Sequence, residues 1–258
     1  MSSPHEDQKL RVLLGWPEEA RVLRRFGLRD GHRILNLGSG PGLVAAELLH
    51  GWPSSRVVDL DSRLESLVLA RAAVDPFDAR ADFLRGTLMR LPLRADGFDF
   101  AVARLVFQYL PHPVDGAREA LRVLRPEGRL AISDVDRELS FALHPELPEL
   151  IALMSRYDAW HRDRGGDRGV GGRLREILTE AGAERIETET VRFESQPESA
   201  ELFLDALMGP RRMEELLRDG YVTQAEIDEF LAARARWLLS PERAVTRYLR
   251  MACGVKPE

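Results

Sequence analysis

The stretch ILNLGSGPGLVAAELL, residues 34–49, limits the possible folds more than any other: an apolar run enters Gly38, Gly40 and Gly42 and leaves in a helical pattern. Glycine lacks a Cβ, so it permits a tight turn and a close backbone approach to a ligand, and the next helix offers unpaired N–H groups to a negative group. Such a turn can hold a carboxylate or a phosphate. A dinucleotide fingerprint sets its third glycine three residues after the second, whereas here Leu43 fills that place and Gly42 precedes it. The following apolar run, RVVDLDS, ends in Asp61, nineteen residues after Gly42. A carboxylate there can accept two hydrogen bonds from the vicinal hydroxyls of an unmodified ribose. The plainer alternative is a bare turn, with Asp61 only favouring the N-terminus of the next helix. Both features together, on consecutive strands in this order, favour the ligand.

From residue 17 to 133 short apolar runs alternate with helical patterns, the signature of βαβ units and a doubly wound α/β sheet. The predicted strands are Arg33 to Leu37, Arg56 to Leu60, Ala81 to Leu84, Phe98 to Ala103 and Arg129 to Ser133. A helix over Gly42 to His50 is expected to stop with Gly51 in the left-handed position. Ser62 and Glu65 have capping-box spacing, which starts a helix directly after Asp61. Ala117, Ala120, Leu121 and Leu124 follow helical spacing, and Pro126 and Gly128 turn the chain into the fifth strand.

The second half reads as a helical stretch, PELIALMSRYDAWH, followed by RDRGGDRGVGG, expected as a mobile loop. Leu174, Ile177, Leu178 and Ala181 form a helix ending at Gly182, and Arg185 to Phe193 forms a strand. Residues 198–239 read as helical, with a capping box at Thr223 and Glu226 and with Ile227, Phe230, Leu231 and Leu238 on one face. Periodicity leaves Val245 to Val255 open between helix and strand.

Composition excludes several classes. A length of 258 residues with 44% hydrophobic residues suits one large domain with a cover. The net charge of -5 lacks the general positive field that favours nucleic acid, so neither nucleic acid nor membrane is an expected partner. Cys253 is the only cysteine, which rules out an internal disulfide and a multi-cysteine zinc site and fits a cytoplasmic location; no metal is expected. The N-terminal MSSPHEDQK has no signal-like apolar run.

The segments ILNLGSGPG, VVDLDS, FLRGTLMRLPLRADGFDFAVARLVFQYLPHP and ALRVLRPEGRLAISDVD resemble, in order and spacing, the motifs of class I S-adenosylmethionine-dependent methyltransferases. The likeness is greatest to the small-molecule branch that includes the ubiquinone and menaquinone methyltransferases, and it spans roughly residues 17–195. It implies a Rossmann-like doubly wound seven-stranded sheet whose last strand, ending in RMACGVKPE, is antiparallel. It implies one methyltransferase domain, with a core over about 17–144, 166–196 and 245–256 and lid helices over about 145–165 and 198–239.

For the cofactor S-adenosylmethionine, the resemblance implies that Gly38 and Gly40 line the methionine tail, Asp61 binds the ribose, Thr87 and Leu88 flank the adenine, and Arg104 contacts the amino-acid end. Three residues depart from the family pattern: Asn36 replaces an aspartate, Thr87 replaces the acid that accepts from the adenine amino group, and Arg104 replaces a small polar residue. The implied activity is methyl transfer to a small acceptor held under the lid, releasing S-adenosylhomocysteine. The alternatives are a non-catalytic binding or regulatory subunit, and an enzyme that uses the cofactor without transferring methyl. A homodimer is left open.

In-line transfer from a positive sulfur needs orientation more than a dedicated catalytic group. If the acceptor is a hydroxyl, His112, His144 and His161 have the unperturbed pKa of a general base, and each also has a surface or packing reading. Tyr109, beyond the fourth strand, is either a substrate contact or a core aromatic. Tyr157, Trp160 and His161 suit a substrate wall or plain helix packing. Asp134 and Asp136 either receive a proton or cap the turn after the fifth strand, the turn being favoured. Trp16, Phe203 and Met208 are candidates for closing the pocket against water.

Overall fold

Each early strand is followed by a segment long enough to cross back over the sheet, so the strands of the first half pair in parallel. In the computed structural model, which describes residues 14–258, these are β1 (Arg33–Leu37), β2 (Arg56–Asp61), β3 (Ala81–Arg85), β4 (Phe98–Arg104) and β5 (Leu124–Asp134), in the spatial order β3-β2-β1-β4-β5. MSSPHEDQK lies outside the described residues. β8 (Ala244–Val255) runs antiparallel beside β5, and β7 (Glu184–Glu194) pairs antiparallel with β8. These seven strands form the expected doubly wound sheet with an antiparallel last strand. One short strand was not expected: β6 (Phe141–His144) pairs with the start of β8, on the edge that β5 occupies further along.

Strand alternation divides the core between the two faces of the sheet. Ile34, Val57, Phe100, Val102 and Ala131 face α1 (Trp16–Arg25), α2 (Leu43–Gly51) and the helices of the second half. Leu35, Leu37, Ala101, Ala103, Leu130 and Ile132 face α4 (Pro113–Val123) and α6 (Leu174–Glu180). α5 (Pro148–Arg162) packs on α7 (Ala200–Met208), α8 (Pro210–Arg218) and α9 (Gln224–Trp237), and α7 packs on β8. Among the described residues no helix is long and apolar enough to cross a membrane.

Several local expectations change. Gly51 is the last helical residue of α2, and the chain leaves the helix at Trp52 (φ -136°, ψ 80°), whose helical conformation is disfavoured by the following Pro53. α3 (Leu64–Ala73) starts one residue later than its capping-box spacing predicts, because Asp61 Oδ1 accepts from Arg63 N at 2.9 Å and draws the chain into a turn; Ser62 and Glu65 form no box. β5 begins at Leu124, so Pro126 and Gly128 lie in an irregular stretch where its register with β4 shifts. On α9 the buried stripe is Ile227, Phe230, Ala233 and Trp237, with Leu231 exposed and Leu238 past the helix end. The Thr223–Glu226 capping box forms in both directions. Residues 163–173 are pinned instead of loose: Asp167 N donates to Gln108 O and Gly171 N to Val135 O, both at 2.8 Å.

Candidate active site

The glycine turn sits at the carboxyl end of β1. Gly38, Gly40 and Gly42 have φ of 71°, 52° and 80°, in the left-handed region that glycine enters without strain. Gly38 N and Ser39 N both donate to Leu60 O, at 2.8 and 2.9 Å, which fastens the turn to the end of β2. Asp61 closes the same corner, with Oδ2 accepting from Gly40 N at 2.9 Å and Oδ1 from Arg63 N at 2.9 Å. A carboxylate has about four acceptor sites, so roughly two remain for a further ligand.

The other expected cofactor residues are distributed around this corner. Thr87 is exposed beyond β3, and its Oγ1 accepts from Met89 N at 3.3 Å. Leu88 buries its side chain in the core of the α4 face. Arg104 is engaged by the protein itself: its Nε and Nη2 donate to both oxygens of Glu19, at 2.8 to 3.0 Å, and Ser133 Oγ donates to Glu19 Oε2 at 3.1 Å. Glu19 went unnoticed in the sequence, although a charged residue among Trp16, Ala20 and Leu23 on the buried face of a helix is a legible anomaly. Asp59 was also missed. It lies on the same strand face as Asp61, accepts from Asn36 Nδ2 at 2.6 Å, and leaves Oδ2 buried without a partner. Burial pushes its pKa up to about 7, the Asn36 hydrogen bond opposes the rise, and nearby Asp61 adds to it.

A second group lies beyond β4, joined to the glycine turn by residues 104–109. A Cβ on Gly38 would meet Val106 Cγ2 at 2.4 Å, and Tyr109 N donates to Val106 O at 3.0 Å. Tyr109, Tyr157, Trp160 and His161 form one aromatic cluster: the Tyr109 and His161 rings are 4.9 Å apart, Tyr157 and His161 4.8 Å, and Trp160 and His161 5.3 Å. Trp160 also ties α5 to the end of α8, donating from Nε1 to Asp219 Oδ2 at 2.9 Å. Burial, then the charges of Arg168, Arg212 and Arg164, push the His161 pKa down to about 3, so the ring is neutral and a poor general base near pH 7.

The remaining candidates fall elsewhere. His112 and His144 are exposed, the latter 3.5 Å from Glu242. Asp134 is fully buried and fixes Gln108, accepting from its backbone N at 3.0 Å and its Nε2 at 2.9 Å; burial pushes its pKa up to about 7. Asp136 caps the turn through Glu138 N at 3.1 Å and also binds Arg250 Nε at 2.9 Å. Trp16, Phe203 and Met208 are buried in the core on the α1 face.

Residues 35–132 match the family model described as a methyltransferase domain. A trans-aconitate 2-methyltransferase of Azoarcus sp. (strain BH72) is 38% identical over 111 residues, 43% of this chain and 42% of that protein. A ubiquinone/menaquinone biosynthesis C-methyltransferase of Dinoroseobacter shibae is 35% identical over 107 residues, 40% of this chain and 42% of that protein. The chain thus spans less than half the length of these curated relatives. Among solved structures, a Haemonchus contortus phosphoethanolamine N-methyltransferase 2, in complex with phosphomonomethylethanolamine and S-adenosylhomocysteine, superposes with a TM-score of 0.59 at 21% identity. That match covers 95% of this chain and 54% of the other, and it speaks to the fold.

Proposed function

We infer that this chain, whose residues 35–132 match a methyltransferase domain, is an enzyme of the class I, S-adenosylmethionine-dependent kind that moves a methyl group onto a small acceptor. The observation that carries the reading is Asp61, held against the left-handed glycine turn by Gly40 N with acceptor capacity to spare.

The residues fit S-adenosylmethionine. Asp61 supplies acceptors for a ribose diol, and the bend through Gly38 and Gly40 gives the amino-acid end a backbone surface free of side chains. Thr87 and the backbone of Leu88 lie beyond β3, where the adenine would sit. Arg104, paired with Glu19, acts at the amino-acid end through the surface of that pair and not as a free cation. When bound, the cofactor supplies a methyl group on a positive sulfur. The protein's work is then to orient the acceptor in line with it, to exclude water, and to leave the acceptor's lone pair unprotonated. In this reading α5 and α7–α9, together with Trp16, Phe203 and Met208, act as the lid, and Tyr109, Tyr157, Trp160 and His161 face the acceptor.

Calorimetric titration with S-adenosylmethionine tests it. Asp61→Ala should weaken binding by about 1.5–3 kcal/mol, the value of hydrogen bonds to a charged group. Unchanged affinity would refute the ribose assignment. A second reading, a protein of this fold that does not transfer methyl, is favoured by the uncharged Asn36 and by the engagement of Arg104 with Glu19. Cofactor binding without release of S-adenosylhomocysteine, across a broad set of acceptors, would select it.

A further inference from the structure

The aromatic cluster beyond β4 is flanked by two arginines, Arg168 and Arg212, of which only Arg168 is ion-paired, with Asp158, among the described residues. Arg168, in the pinned loop, is only 6% exposed, yet Nε alone has a partner, Asp158 Oδ1 at 2.7 Å. Its other two guanidinium nitrogens have no acceptor among the described residues. Asp158 is itself shared, since Arg137 Nε lies 3.7 Å from its Oδ2. Arg212 reaches in from α8, with Nη1 on the carbonyls of Ala206, at 2.8 Å, and Leu207. Both guanidinium groups lie over the Tyr157 ring, 4.7 Å from its centroid for Arg168 and 4.8 Å for Arg212.

Two further polar groups in the cluster are unused. His161 Nε2 is buried with no partner, and the residue is 2% exposed. The Tyr109 hydroxyl makes no hydrogen bond to the described residues. The residue is 54% exposed, and the charges of Arg212 and Arg168 act on its hydroxyl. Guanidinium donors that lack a protein acceptor are available to a negative group. Guanidinium groups present their donors in a planar fork that matches a carboxylate or a phosphate.

We propose that Arg168 and Arg212, together with Tyr109 and His161, form a binding site for an oxyanion, a carboxylate or a phosphate monoester, carried by the methyl acceptor. The site's place in catalysis rests on the methyl-transfer reading; the anion site itself does not. Val106, beside Gly38, and Tyr109 belong to one short turn, so an acceptor anchored by its anionic end at these arginines lies next to the proposed cofactor corner.

The test uses the full chain with S-adenosylhomocysteine, titrated by calorimetry with benzoate and citrate in one arm and phenyl phosphate and phosphoethanolamine in the other. Each anion is compared with a neutral counterpart, such as benzamide for benzoate. At least one anion should bind about tenfold or more tighter than its counterpart, and the arm that does so identifies the group. Arg168→Gln should remove about tenfold of that preference, with Arg168→Lys between the two and S-adenosylhomocysteine affinity within about twofold of wild type. Arg212→Gln serves as a second variant, with folding of each checked by circular dichroism. No preference for either anion in the wild type, or a preference that survives in the folded variants, would overturn the proposal. If S-adenosylhomocysteine fails to bind, the methyl-transfer reading falls, and the same titrations without it still judge the anion site.

Discussion

Asn36 Nδ2 donates to Asp59 Oδ1 at 2.6 Å across the β1–β2 ladder, where the two residues are register partners, and the second oxygen of that carboxyl is buried with no partner. The folded chain therefore favours the neutral acid, whose pKa of about 7 exceeds the usual aspartate value of about 3.9. Below about pH 4 the group is protonated in both states. As pH rises from there towards 7 the unfolded chain gives up its proton first, so this contribution to stability falls by about 1.4 kcal/mol per pH unit and then levels off. His161, with its pKa lowered to about 3, acts in the opposite sense below its usual value, and Asp134 in the same sense as Asp59. A comparison with Asp59→Asn isolates the one group. Urea unfolding between pH 4.5 and 8 should show the variant gaining on wild type as pH rises, by a few kcal/mol at most. Parallel curves would show that Asp59 is ionised in the fold.

The pair formed by Glu19 and Arg104 is nearly closed to solvent, with side chains 2% and 8% exposed. Removing one partner leaves a buried charge alone. Glu19→Ala should cost about 3–5 kcal/mol in chemical unfolding at neutral pH. Glu19→Leu combined with Arg104→Met should recover most of that loss, because an apolar pair of similar volume avoids both desolvation penalties. If the double variant is no more stable than Glu19→Ala, the pair contributes through something other than charge burial.

Thr223 and Glu226 begin α9 by satisfying each other's backbone N–H groups, at 3.2 Å from Glu226 N to Thr223 Oγ1 and 2.8 Å from Thr223 N to Glu226 Oε2. Thr223→Ala should destabilise by about 1 kcal/mol, and Thr223→Asp, which keeps an acceptor at the cap, by less. Thermal unfolding of the two variants measures the difference, and an equal loss would mean that the threonine methyl, not the hydroxyl, matters.

The parallel strands and most helices were legible because their determinants are local. Apolar runs bounded by turn residues marked β1 to β4 to within a residue, and the Thr223–Glu226 spacing marked the start of α9. The failures came where a tertiary or neighbouring contact overrode a local signal. Pro53 decided the end of α2 that Gly51 was expected to make, and the Asp61 carboxylate took the backbone N–H that delayed α3. β6 has too few residues for any periodicity, and its pairing with β8 is what defines it. The polar groups of the site were the least legible, because their partners are remote. Glu19 joins Arg104 across 85 positions and Ser133 across 114, and although Arg164 and Arg168 follow His161 closely in the chain, the burial that chiefly strips it of basicity and the approach of Arg212 are set by the fold.

Two glycines with nearly the same backbone separate conformational strain from close packing. Gly42 has φ of 80° and Gly182 of 92°, so alanine at either position bears the left-handed cost, about 1–2 kcal/mol. Around Gly182 there is no atom within 4 Å of an added Cβ, whereas at Gly42 the Cβ would fall 2.4 Å from Ala70 Cα and 2.8 Å from its carbonyl oxygen. That obstacle is backbone and cannot swing aside, so α3 must move away from α2, and Asp61, three residues before α3, moves with it. Gly182→Ala should therefore lose about 1–2 kcal/mol and keep its affinity for S-adenosylmethionine. Gly42→Ala should lose an additional 1–3 kcal/mol from overpacking and bind the cofactor weakly even where it remains folded. Urea unfolding with parallel calorimetry checks both, and equal losses in the two variants would mean that α2 and α3 do not meet closely at Gly42.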